Sequence, residues 1–110
     1  MASTSLLESV DMIVKEINRR PKAENNLYFI AKLQEEAGEL AEAALALEGS
    51  KRKIKKLWDA GTTPSERFLE ELSDVLNVVC LFAHQRNISL DKLFYTASEK
   101  MIKKGKEIYG

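Results

Sequence analysis

Phe68-Leu69-Glu70-Glu71-Leu72-Ser73-Asp74-Val75-Leu76-Asn77-Val78-Val79-Cys80-Leu81-Phe82 is the stretch on which the reading of this 110-residue chain turns. On a helix wheel at about 100° per residue with Glu71 at zero, Phe82, Val75, Phe68 and Val79 fall between about 20° and about 80°, Val78 at about 340° and Asp74 at about 300°. Glu71 therefore stands inside the arc that should face a core, with Asp74 on its edge one turn later. The offset recurs upstream. With Glu36 at zero, Phe29 and Leu47 fall at about 20°, Leu40 at about 40°, Leu33 at about 60°, Ala43 at about 340° and Glu39 at about 300°. Two helices must bury the same sides that carry their acids.

Working outward, Thr63 is a cap candidate with Pro64 at the first helical position and Glu66 at the third, and the periodic run continues to about Arg86. The earlier acidic helix should run from about Asn26 to Leu47 and end at Gly49-Ser50. Leu6, Val10, Ile13, Val14 and Ile17 form a stripe behind a Ser5/Glu8 capping box, followed by Pro21 and a polar connection over residues 22–26. Asn87 and Ser89 mark a turn before a last helix from Leu90 to about Lys106. The expectation is an all-α chain of four principal helices in a bundle, with no strand. Residues 49–63 are left open between a short additional helix and an ordered loop. Residues 1–110 are read as one helical domain, with 1–25 as its N-terminal helix and connection.

Hydrophobic residues make up 45% of the chain, enough for an ordinary core. Seventeen basic residues balance seventeen acidic ones, so the net basicity expected of a protein held by nucleic-acid phosphates is missing, and no stable nucleic-acid complex is expected. The longest apolar runs are too short to cross a bilayer and the first residues show no signal core. No membrane association and a soluble, cytoplasmic protein are the resulting expectations. Cys80 is the single cysteine, which excludes an internal disulfide and a thiolate cluster and leaves a buried apolar thiol as its reading.

If the two acidic faces meet, Glu36, Glu39, Glu71 and Asp74 converge, and their ionised forms are penalised by desolvation and mutual repulsion. A hard divalent cation relieves both. Magnesium fits because it favours carboxylate oxygens, retains water and bridges acids to phosphates; manganese could take the same ligands. Without a well-placed histidine, zinc and histidine-containing di-iron centres are less suited. The bland alternative places the acids at a wet edge, paired with lysines. Glu35, at about 260° on its wheel, is outside the ligand plane and could act on water instead.

Glu35-Glu36-Ala37-Gly38-Glu39-Leu40 and Glu71-Leu72-Ser73-Asp74-Val75-Leu76 together resemble the Glu-Glu-x-x-Glu and Glu-x-x-Asp elements of the MazG-like, all-alpha nucleoside triphosphate pyrophosphohydrolases, a similarity running from roughly Leu27 to Lys106. The resemblance implies magnesium-dependent cleavage between the α and β phosphates of a nucleoside triphosphate, yielding a monophosphate and pyrophosphate. It also implies Glu36, Glu39, Glu71 and Asp74 as metal ligands, Glu35 as an acid acting on metal or water, and Lys100 and Lys104 as residues facing the triphosphate. Lys100 and Lys104 are one turn apart and border the stripe of Leu93, Ala97 and Met101, which suits phosphate neutralisation; a solvated basic helix end is the competing reading. Lys103 is a further substrate-binding candidate, although the family's late Asn and Arg pattern is not reproduced cleanly. The related phosphoribosyl-ATP pyrophosphohydrolases are the nearest alternative, but Asn77 stands where they carry a histidine.

The run Lys51-Arg52-Lys53 and Lys55-Lys56 reads first as a solvated surface, second as a gate for a nucleotide's phosphates, and only then as a nucleic-acid site, with Trp58 a candidate for stacking on a base. His84 has no partner pattern and reads as structural or exposed. Amphipathic helices and the family likeness lead to an expected homodimer or homotetramer. A noncatalytic helical protein whose acids bind a basic partner is the alternative from another class.

Overall fold

The computed structural model describes residues 4–22 and 26–110. Five helices occur among them and no strand: α1 (Leu6–Asn18), α2 (Leu27–Leu47), α3 (Lys51–Asp59), α4 (Pro64–Gln85) and α5 (Leu90–Tyr109). Residues 23–25 of the expected connection lie outside the described residues.

Helix starts follow the cap chemistry. The Ser5 hydroxyl oxygen accepts from Glu8 N–H at 3.1 Å, Thr63 Oγ1 from Glu66 N–H at 3.2 Å, and Ser89 Oγ from Lys92 N–H at 3.2 Å. Asn26 makes no side-chain cap bond, and α2 begins at Leu27. The turn after α4 is a Schellman arrangement: Ile88 N–H donates to Ala83 O at 2.8 Å and Asn87 N–H to His84 O at 3.0 Å. It needs Asn87 at φ 62°, a left-handed conformation that Asn tolerates better than most residues.

One open alternative is settled and one boundary moves. The open stretch after Gly49 contains a helix, α3. At the other end α5 passes through Gly105 to Tyr109, beyond the expected stop at Lys106. A mid-helix glycine costs about 1 kcal/mol relative to alanine, which does not break a 20-residue helix with five lysines.

The chain divides into two compact units, one of α1 with Cys80–Gly110, the other of α2, α3 and α4 as far as Val79. In the first, Ile17, Cys80 and Leu90 form a buried cluster against Ile13, Val14, Leu81 and Leu93. Burial pushes the Cys80 thiol pKa up, in keeping with an inert core residue. Lys22 Nζ donates to Asn87 Oδ1 in this unit, and His84 Nε2 lies 3.4 Å from Arg20 O.

In the second unit α3 packs against α2, and Lys53 Nζ pairs with Glu42 Oε1 at 3.1 Å. Small residues occupy the interior of α2: Ala43 and Ala46 are buried, whereas Leu47, expected inside the arc, is 41% exposed. On α4, Val78 is buried and its neighbour Val79 exposed. The acids remain on the inner side, since Glu36 is 6% and Glu71 0% exposed. No helix among the described residues is long and apolar enough to cross a membrane.

Candidate metal centre

α2 and α4 each bring an acid inward, and α4 adds a second. One carboxylate oxygen from each of Glu36, Glu71 and Asp74 lies within 4.8 Å of the other two, with Asp74 on the solvent side. Both Glu71 oxygens and Glu36 Oε2 are buried without a hydrogen-bond partner. Such groups are rare in folded chains because a desolvated acceptor without a donor costs about 1–3 kcal/mol, and more when it is charged.

A cation stands one turn before each central acid. Lys32 Nζ lies 3.3 Å from Glu36 Oε1 and 3.6 Å from Glu35 Oε1. Arg67 repeats the arrangement on α4, with Nη1 3.4 Å from Glu70 Oε2 and Nη2 in an ion pair with Glu71 Oε1. Arg67 thus lends Glu71 charge at Oε1, while Oε2 has no partner. Sequence reasoning missed both cations. The legible signal was a basic residue four positions before each inward acid.

Electrostatics follow from this geometry. Burial raises the Glu71 pKa above the usual carboxylate value; Arg67 opposes the rise, and the charges of Glu39, Asp74 and Glu36 reinforce it. Lys32 is shifted up by its hydrogen bond to Glu36 and by the Glu35 charge.

The donor set suits a hard divalent cation: three carboxylates, unclaimed lone pairs and one open side where water or a substrate oxygen could enter. Side-chain rotation could bring one oxygen from each of the three acids onto a shared ion.

Three of the four acids expected from the wheels lie together in this cluster. Glu39 is near enough for its charge to raise Glu71, yet it lines a cleft of about 250 Å³ with Glu42, Lys53, Lys56, Leu57 and Arg67. It sits at the edge of the α2 arc, where α3 packs, and this neighbour opens the cleft beside it. Glu35 is exposed and paired with Lys32. Trp58 on α3 is 66% exposed. Lys100, Lys103 and Lys104 lie exposed on α5, in the other compact unit from the acids.

The MazG nucleotide pyrophosphohydrolase domain matches residues 24–109, most of the chain and all the acids above. No curated protein and no solved structure matches the chain. The chain belongs to the MazG nucleotide pyrophosphohydrolase family, and the acid trio, as a potential metal-binding cluster, fits a metal-dependent hydrolase.

Proposed function

We infer from that membership that the chain hydrolyses nucleoside triphosphates, ribo or deoxy, between the α and β phosphates, releasing a monophosphate and pyrophosphate, in a role suited to clearing the nucleotide pool. The observation that carries this reading is the pair of buried carboxylates, Glu36 and Glu71, each keeping oxygens without a hydrogen-bond donor and clustered with Asp74. Magnesium is the ion of choice because it couples acidic side chains to phosphate oxygens while keeping water in its shell; manganese is the expected substitute. When bound, it supplies the positive charge that phosphoryl oxygens need as the α–β bridge breaks.

Glu36, Glu71 and Asp74 hold the ion in this reading, with Glu39 as the fourth candidate ligand. Glu35 is next in sequence to a ligand but turned to solvent, a position from which a carboxylate can orient attacking water or take its proton. Lys100 and Lys104, with Lys103, are the α5 candidates for phosphate oxygens, and exposed Trp58 for the base. Self-association as a homodimer or homotetramer belongs to the same proposal. Leu69, Leu72, Leu76 and Val79 form an exposed stripe at spacings of three and four along α4, the kind of surface a second copy covers.

Hydrolysis in ¹⁸O-labelled water followed by ³¹P NMR tests the bond choice. The expected products are one monophosphate and one pyrophosphate per triphosphate, with the label's position reporting which phosphorus the water attacks. Orthophosphate as the first and only released phosphate would contradict it. A parallel assay on phosphoribosyl-ATP should show lower kcat/KM than on nucleoside triphosphates.

A further inference from the structure

Helix α3 holds an electrostatic arrangement that its own sequence does not relieve. Five of its nine residues are cations, Lys51, Arg52, Lys53, Lys55 and Lys56, against the single acid Asp59, in a chain of zero net charge. Three of the cations occupy the first turn, which has no acid, and Ser50 makes no side-chain cap bond. Positive charge at a helix N-terminus opposes the macrodipole, and the like-charged Lys51/Lys55 and Arg52/Lys56 pairs repel at the i,i+4 spacing. α3 buries no residue completely, so burial compensates weakly. Among the described residues, only Lys53 of these cations is ion-paired, to Glu42. A helix built against local preference in this way is where a function is expected.

We propose that α3 is a docking helix for the polyphosphate chain of the substrate, with Lys53 and Lys56 reaching phosphate oxygens in the cleft beside the acid trio. The proposal rests on the nucleotide reading above and adds a subsite to it. Lys53 and Lys56 line that cleft together with Arg67 and Glu39. Arg67 is also the ion partner of Glu71, and the Glu39 charge is felt at Glu71, so cleft and acid trio adjoin. The same two lysines border a second hollow of about 340 Å³ with Arg52, Lys55 and Asp59, so their ammonium groups serve a continuous basic surface.

Size and charge select the occupant. Sites for whole drug-sized ligands span about 300–1,000 Å³, and the 250 Å³ cleft lies below that range. It suits a chain of phosphates with the nucleoside outside. A nucleic acid would call for a basic surface extending beyond one nine-residue helix, and a chain of zero net charge has no overall attraction for one. A divalent cation on the acids would offset the negative charge around Arg67, leaving its guanidinium free to turn to the same phosphates.

Inorganic tripolyphosphate with magnesium is the probe, titrated by calorimetry into the full chain and into Lys53→Gln/Lys56→Gln, with hydrogen exchange read at amides 51–59. The parent should bind, exchange across α3 should slow on binding, and the double variant should lose affinity by about tenfold or more. Manganese binding by the double variant should stay at the parent value, showing that the acid trio is intact. Lys55→Gln, which does not line the cleft, should weaken binding less. Unchanged affinity in the folded double variant, or no slowing at α3, overturns the proposal. So does tighter binding of a single-stranded oligonucleotide than of tripolyphosphate, lost in the same variant. The two readings fail separately: a parent that binds tripolyphosphate through α3 but releases no pyrophosphate supports the docking helix and refutes the hydrolysis.

Discussion

Lys32-Leu33-Gln34-Glu35-Glu36-Ala37-Gly38-Glu39 on α2 and Arg67-Phe68-Leu69-Glu70-Glu71-Leu72-Ser73-Asp74 on α4 are two versions of one pattern: a cation, acids three and four residues on, and another acid seven on. Their fates differ. On α4 the central acid is wholly buried and the last acid joins the trio; on α2 the central acid keeps a trace of exposure and the last acid, Glu39, turns to the α3 cleft. Spacing decides which groups share a helix face. The neighbour packed on that face decides which of them meet.

The largest effects are expected at the central acids. Glu71→Gln should lower hydrolysis by about 10³-fold and Glu36→Gln by about 10²-fold, both chains remaining helical by circular dichroism. Glu36 is the less buried of the two and has a better-directed cation beside it, so the reverse order would show that burial does not rank these ligands.

The last acids should differ in metal affinity. Asp74→Asn should weaken magnesium binding by about 100-fold and Glu39→Gln by about tenfold or less, because only Asp74 has an oxygen in the trio. Equal losses in a calorimetric titration would restore the four-ligand arrangement that the helix wheels suggest.

Much of this was legible in the sequence, for reasons that also mark where legibility ends. The inward placement of Glu36 and Glu71 followed from helical period alone. The caps at Ser5, Thr63 and Ser89 followed from side chains that can reach a free N–H. The division of the second acids did not, because Asp74 and Glu39 have the same angular offset and differ only in what packs beside them. Residues 49–63 stayed open since five cations argue against a helix that packing on α2 nonetheless supports. Lys32 and Arg67 were overlooked because a basic residue on a charged helix looks like solvent-facing surface until its partner is known to be buried.

The cations provide a smaller contrast. In chelator, Arg67→Gln should destabilise the chain by about 1–3 kcal/mol in urea, since it strips the opposing charge from a fully buried carboxylate. Lys32→Gln should cost less, its ammonium being partly solvated. A larger effect at Lys32 would reverse the ranking of the two sites.

The smallest effect is a pH dependence. The Glu71 pKa is raised in the folded chain, so the folded state binds this proton more tightly than the unfolded one. Metal-free stability therefore falls as pH rises from the ordinary value of 4.5 through the folded value. Glu71→Gln should be more stable than the parent at pH 7 without metal, and thermal melts should show the gap closing as pH falls toward 4.5. A gap that widens on acidification would mean that the Arg67 pair outweighs burial.

Whether Glu36, Glu71 and Asp74 form a divalent metal site is read by manganese binding followed by electron paramagnetic resonance. The parent should quench free manganese, magnesium should compete it away, Glu70→Gln should behave like the parent, and folded Glu71→Gln should leave the ion in solution. Manganese held equally well by Glu71→Gln, or not held by the parent, would contradict that site.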